Sequence, residues 1–389
     1  MTRDLQAEAA QAIPVTVLTG FLGSGKTTLL NHLLEQPGLS DCAVLINEFG
    51  EVAIDHLLVR PLAEDIVLLD SGCLCCTVRG DLVTAMRDLF IKRAKGEIPY
   101  FHRVLIETTG LADPAPIIHT LMTDPLLANS YRLDGLICSV DAVNGRTTLD
   151  HNPESVKQAA VADRLLLSKL DLAAPEEVSL LRERLRHLNP GARIIEVSHG
   201  RVAPEDILGC GLFDGASRIP DVARWLNEEA YREQEEKSHG HHHHHHHGHE
   251  CGPDCDHDHA HEHHGHEEGE SRHNSGISSF VVTYDRPVPW AALLMTLEFL
   301  IATRGENLLR VKGIVNAQGQ DKPLVVHGVQ HLFHDVVALP EWPDDDRRTR
   351  IVFITRDMPE EALTGLLDHA MKENWDDLGI DAPDGEAAS

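Results

Sequence analysis

Gly20-Phe21-Leu22-Gly23-Ser24-Gly25-Lys26-Thr27 has the G-x-x-x-x-G-K-[ST] spacing of a phosphate-binding loop. Glycines let the backbone wrap a polyphosphate with its N–H groups, and a helix starting at the loop's end adds a favourable dipole. The pattern assigns Lys26 to the β- and γ-phosphates and the Thr27 hydroxyl to Mg2+, with Thr28 next in the contact set. A chance match in a glycine-rich turn is the rival, and the flanks argue against it. Residues 13–18 form a short apolar run rich in β-branched side chains, and 28–35 read as helix.

Further strand-like runs end in residues that bear on the same chemistry. Glu107-Thr108-Thr109-Gly110 follows the run at 104–106. A carboxylate there binds Mg2+ through water, and a glycine N–H meets a γ-phosphate, so Glu107 and Gly110 join Lys26 and Thr27 as catalytic candidates. Asn47-Glu48-Phe49-Gly50-Glu51 follows the run at 43–46 and reads either as a mobile loop sensing Mg2+ or the γ-phosphate, or as a solvated acidic loop. The run at 165–167 ends in Ser168-Lys169-Leu170-Asp171, close to the [NT]-K-x-D element that reads guanine. Its carboxylate accepts from the base's ring N–H and exocyclic amine, and the lysine stem covers the ring. Adenine would leave Asp171 unpaired, a costly mismatch. Ser198 follows the next strand and is either a backbone contact to the base or simply a loop serine.

Cys73-Leu74-Cys75-Cys76 follows the run at 66–69. If the chain is extended, Cys73 and Cys75 point the same way, and Cys76 joins them where it turns. Two or three thiolates make a soft site suited to Zn2+ or Co2+, completed by a nearby Glu or water and able to release its ion. A redox dithiol and buried cysteines acting as small hydrophobes are the rival readings. Farther on, residues 238–273 are dominated by histidine, with His241, His243, His245 and His247 in an unbroken run and Cys251 and Cys255 beyond it. A purification tag would sit at a terminus, whereas this tract is internal and carries acids and cysteines. It reads as an accessory reservoir for Zn2+, Ni2+ or Co2+, among which imidazole does not choose.

The elements that must position these groups alternate. Strand-like runs at 43–46, 66–69, 104–106, 136–140, 165–167 and 193–197 are interleaved with helix-like stretches at 80–94, 114–127 and 175–188. This predicts an α/β domain with a mostly parallel sheet covered on both faces, its ligands beyond the carboxyl ends of the strands. The chain of 389 residues exceeds one ordinary domain. The divisions expected are 1–214 for the phosphate-loop domain, 215–276 for a disordered His-rich linker, 277–375 for a small α+β domain, and 376–389 for a disordered acidic tail. In the third, strands are expected at 279–284, 308–315, 323–326 and 350–355, with helices at 290–303 and 359–371. His327, His331 and His334 read as ligands or, more commonly for such positions, surface histidines. The net charge of −28 argues against nucleic acid or an anionic membrane as partner. The apolar runs are shorter than a bilayer span and the start lacks a signal-peptide pattern, so a cytoplasmic protein is expected.

Together these stretches resemble one family, the metal-linked GTPases of the SIMIBI class, in the CobW-like branch that contains zinc chaperones. The resemblance is carried by G-F-L-G-S-G-K-T, N-E-F-G-E, G-C-L-C-C at 72–76, E-T-T-G-L-A-D-P at 107–114 and S-K-L-D. It implies slow GTP hydrolysis coupled to delivery of a metal to a client protein, by an enzyme that often acts as a nucleotide-dependent homodimer. It also implies that Cys73, Cys75 and Cys76 hold the metal, with Glu51 nearby. Alternative assignments are a cobalt-handling protein for corrinoid synthesis and a metal-sensing or buffering GTPase switch.

Overall fold

The computed structural model describes residues 12–36, 39, 41–46, 67–70, 78–210, 226, 276–333 and 336–377. The apolar runs of the first half form β1 (Ile13–Gly20), β2 (Cys42–Ile46), β3 (Val67–Asp70), β4 (Arg103–Glu107), β5 (Tyr131–Asp141), β6 (Arg164–Ser168) and β7 (Arg193–Glu196). They make one sheet in the order β3-β2-β4-β1-β5-β6-β7, with every pairing parallel. The strands are apolar on both sides because both faces are covered. Val15, Val17, Leu45 and Ile106 join the core on one face, and Leu18, Val44, Leu105 and Leu166 that on the other.

The connections are helical: α1 (Lys26–Leu34), α2 (Val78–Lys95), α3 (Ala115–Thr123), α4 (Pro125–Ser130), α5 (Gly145–His151), α6 (Pro153–Val161), α7 (Pro175–Leu188) and α8 (Pro204–Ile207). The single helix expected over 114–127 is two. Asp124 accepts from the N–H groups of Leu126 and Leu127, both at 3.1 Å, and Pro125 sits at the first helical position, so a new helix starts there. The pair α5 and α6 adds to the elements expected from sequence.

The chain winds from β1 out to β2 and β3, returns through β4 beside β1, and continues the other way through β5, β6 and β7. The carboxyl ends of β1, β4, β5 and β6 therefore converge, and the phosphate-loop motif begins there.

The second half contains β8 (Ile277–Tyr284), α9 (Trp290–Arg304), β9 (Leu308–Val315), β10 (Leu324–Val329), β11 (Leu332–Phe333), β12 (Val337–Ala338), β13 (Thr349–Arg356) and α10 (Glu360–Asp377). Its sheet is antiparallel, ordered β11-β10-β9-β13-β8 with β12 also on β10. Helix α10 runs to Asp377, two residues past 375, where the sequence reading ended the domain. Alternate residues of the sheet enter different cores. Phe280, Val311, Ile351 and Phe353 pack with Leu293 and Leu297 of α9 and Leu367 of α10. Ile314, Val325, Val352 and Ile354 lie instead in the apolar cluster of the first domain.

A charged contact spans the same junction. Asp163, at the entry to β6, accepts from Arg310 and from Lys312 Nζ (2.8 Å), both on β9, and from the Leu136 N–H at 2.9 Å. Arg310 also donates to the Val161 carbonyl, and Ser279 Oγ to the Leu188 carbonyl at 3.2 Å.

Candidate functional site

The loop after β1 turns tightly at the carboxyl end of this central strand. Gly20 has φ +139, and a Cβ there would lie 2.3 Å from the Ser139 carbonyl, so no other residue fits. The loop is tied down from two strands, since Ser139 Oγ on β5 and Ser168 Oγ on β6 each donate to the Ser24 carbonyl at 2.7 Å. Where the guanine-reading pattern has an Asn, Ser168 thus serves as a brace for the phosphate loop. Lys26 folds back over the loop, its Nζ donating to the carbonyls of Gly20 (2.9 Å) and Phe21 (3.2 Å). These donors are the ones a β/γ-phosphate would claim.

Glu107, buried at the end of β4, accepts from Thr27 Oγ1 at 3.0 Å. A hydroxyl and a carboxylate converging at the start of α1 form an oxygen donor set that suits Mg2+, directly or through its waters. Gly110 packs against the phosphate loop itself, where a Cβ would lie 2.4 Å from the Leu22 backbone nitrogen. Buried Gln158 on α6 holds that segment, with Nε2 donating to the Ala112 carbonyl at 2.9 Å and the Gly110 carbonyl at 3.3 Å. Sequence reasoning missed Gln158 because it passed over α6.

On the other side of the loop, Gly25, Thr28, Ser168, Lys169, Asp171 and Gly200 line a cavity of about 250 Å3. Lys169 has φ +57, a left-handed conformation that a non-glycine residue keeps only where its surroundings impose it. Its Nζ bonds Asp141 Oδ2 at 2.7 Å. Burial raises the Asp141 pKa, but Lys169, the Val143 backbone N–H and the Asn144 side-chain amide more than offset this, leaving the carboxyl below its usual value. Asp141 went unremarked in the sequence; an acid closing an apolar strand beside the phosphate loop was the available signal. The exposed Asp171 carboxylate has no hydrogen bond or ion pair among the described residues and is free to accept from a base. Ser198 does not line the cavity; its neighbours Val197, His199 and Gly200 do.

Asp171→Asn is expected to lower GTP affinity roughly 10- to 100-fold, because an amide donor then faces the base's donors. Affinity for xanthosine triphosphate, whose C2 carbonyl accepts from that amide, should rise. Equilibrium binding of the two nucleotides and ATP checks this. Equal ATP and GTP affinity in the unmutated protein would remove the guanine assignment.

Asn47–Glu51 with Asp55, Cys73, Cys75, Cys76, the tract containing His241, His243, His245, His247, Cys251 and Cys255, and His334 lie outside the described residues. Among the described residues no group of three His, Cys, Asp or Glu side chains stands ready for a metal. His327 is half-buried on β10, and His331 is exposed in the turn after it. Cys42, Cys138 and Cys210 are buried, and burial pushes each thiol up to about 12, which leaves them poor ligands and nucleophiles at neutral pH. The attachment points of the two outer motifs are described. In register, Ile46 at the end of β2 stands opposite both Glu107 on β4 and Asp70 on β3.

Comparison with known proteins agrees with this arrangement. Residues 14–196 match the CobW/HypB/UreG nucleotide-binding domain, and residues 277–371 match the cobalamin synthesis protein CobW C-terminal domain. The chain is 33% identical over 351 residues to the zinc chaperone YjiA of Escherichia coli, covering 90% of this chain and 96% of that protein. It is 31% identical over 393 residues to the zinc chaperone CobW of Pseudomonas aeruginosa, covering 92% of each. The crystal structure of Zn(II)-bound YjiA GTPase from E. coli superposes with a TM-score of 0.62 at 30% identity, covering 92% of this chain and 99% of that one.

Proposed function

Because the chain belongs to the CobW family, with its CobW/HypB/UreG nucleotide-binding domain followed by a CobW C-terminal domain, we propose that it is a GTP-hydrolysing metallochaperone. Zn2+ is its cargo, and a metal-requiring protein is its client. The phosphate loop from Gly20 to Thr28 cradles the GTP phosphates, and Lys26 exchanges its two backbone carbonyls for the β- and γ-oxygens. Thr27 and Glu107 hold Mg2+, which when bound neutralises charge on the phosphates. The Gly110 N–H meets the γ-phosphate, Lys169 and Asp171 fix the guanine, and Ser168 braces the phosphate loop beside them. The cargo sits on Cys73, Cys75 and Cys76 with Glu51, and the histidine tract serves as an accessory reservoir. Among the described residues no helix is long and apolar enough to cross a membrane.

The observation that carries this reading is the register of β3, β2 and β4. Asp70 lies two strands from Glu107, about 10 Å at ordinary strand spacing, and the first cysteine, Cys73, comes three residues after Asp70. The segment containing Glu51 leaves β2 between them. A shift at the Mg2+ and γ-phosphate end therefore acts directly on the chain that carries the thiolates, as switch loops do elsewhere.

Zn2+ titrated against a competing chelator in the apo, GDP and non-hydrolysable GTP-analogue states tests it. The GTP-analogue state should bind Zn2+ tighter by roughly 5- to 150-fold, and Zn2+ must tighten the analogue by the same factor. Changing Cys73, Cys75 and Cys76 to Ser should abolish transfer to an apo client while leaving GTP binding in place. Identical zinc affinity in all three states would end the model of gated delivery. The same titration with Co2+ decides between zinc and cobalt as cargo.

A further inference from the structure

The segment that follows Glu107 is gripped from two sides. Gln158 holds the carbonyls of Gly110 and Ala112 from within the first domain, as described. Asp113, one residue on, is held by the second domain: Gln330 Nε2 donates to its two carboxylate oxygens at 3.1 and 3.3 Å. Lys157 Nζ donates to the same carboxylate at 3.3 Å, and the Ala115 N–H at 3.0 Å, so Asp113 also starts α3.

Gln330 is placed at some cost. It is the first residue of the two-residue turn between β10 and β11, where Val329 pairs with Leu332. Its φ is +52, a conformation that Gly or Asn adopts more readily than Gln. It is also buried. The turn is fixed to its own domain, since a Cβ on Gly305 at the end of α9 would lie 2.1 Å from His331 Nδ1. Forming a hairpin does not call for a glutamine here, whereas reaching Asp113 does.

We propose that Gln330 is a positioning residue for GTP hydrolysis. By holding Asp113 it keeps Gly110 against the phosphate loop, so turnover depends on the C-terminal sheet being seated. The effect passes through Asp113, because Gln330 touches none of the groups that would meet the nucleotide. It rests on the reading of the chain as a GTPase.

Full-length Gln330→Gly tests it. Glycine adopts the turn's positive φ without strain, which offsets the two bonds to Asp113 that are lost, so the melting temperature should stay within a few degrees of the unmutated protein. The KM for GTP should stay within about twofold, while kcat falls roughly tenfold. Asp113→Asn, which keeps an acceptor for the Ala115 N–H, should lower kcat similarly, and the double variant should be no slower than either single one. A Gln330→Gly protein with the parent's kcat overturns the proposal, as does a loss of kcat that tracks a fall in melting temperature. If the unmutated protein fails to hydrolyse GTP, the GTPase reading itself is lost. An active parent matched by an equally active variant removes only the role of Gln330.

Discussion

Lys26→Ala is expected to leave the protein folded and to lower kcat for GTP hydrolysis by on the order of 10²–10³, with a marked loss of GTP affinity. The Lys26 ammonium is confined above the phosphate loop, where it bonds two carbonyls of that loop and little water reaches it. A cation pre-placed in such a site stabilises charge developing on the transferred phosphoryl group far more than one in bulk water does. Alanine removes that charge and leaves the Gly20 and Phe21 carbonyls to be satisfied by solvent. The fold should tolerate the change, because the loop remains braced by Ser139 and Ser168 through the Ser24 carbonyl. Single-turnover hydrolysis at saturating GTP, with circular dichroism as the folding control, reads the effect. Hydrolysis at the parent's rate would show that the loop does not hold the reacting phosphates.

Asp163→Ala is expected to cost about 3–5 kcal/mol of stability, the largest loss we foresee for a residue away from the phosphate loop. The substitution strands Arg310 and Lys312, both buried at the junction of the two domains, without their shared carboxylate. Replacing all three by apolar residues of similar volume should recover much of the loss, because no unpaired charge then remains. Urea denaturation of the three proteins checks both statements. Burial alone would raise the Asp163 pKa, but the charges of Arg310 and Lys312 outweigh it and hold the carboxyl well below the usual carboxylate range. Its contribution is therefore complete above about pH 4 and is lost as pH falls further, through the folded-state value. For Lys312, burial and the Arg310 charge push the pKa down to about 8. The unfolded chain then binds more protons between about pH 8 and 10.4, and stability should rise across that window. A stability profile flat below pH 4, or an Asp163→Ala protein as stable as its parent, would contradict the role given to this contact.

The phosphate loop, the parallel sheet and Thr27 with Glu107 were legible in the chain because each rests on local spacing. Apolar runs of parallel strands and a glycine pattern need no knowledge of distant residues. Helices α5 and α6 were not legible: α5 buries only Gly145 and Leu149, and Asn152-Pro153 interrupts the pattern between them. Strands β11 and β12 have two residues each, too few for any period to register. The break at Asp124-Pro125 was readable as a cap followed by a first-turn proline, and a long apolar stretch masked it. Asp163 and its partners lie almost 150 residues apart, and nothing local says which carboxylate Arg310 and Lys312 will meet. Gln330 and Asp113 are separated still further. In each case the missing information is how one domain sits on the other, and no local pattern encodes that.

Both faces of the C-terminal sheet are buried, one beneath α9 and α10 and the other against the first domain. The two halves are therefore joined by an interface with the character of an interior. In evolutionary terms, a substitution on either side of this interface is felt by the facing domain, so the two halves change together rather than as independent modules.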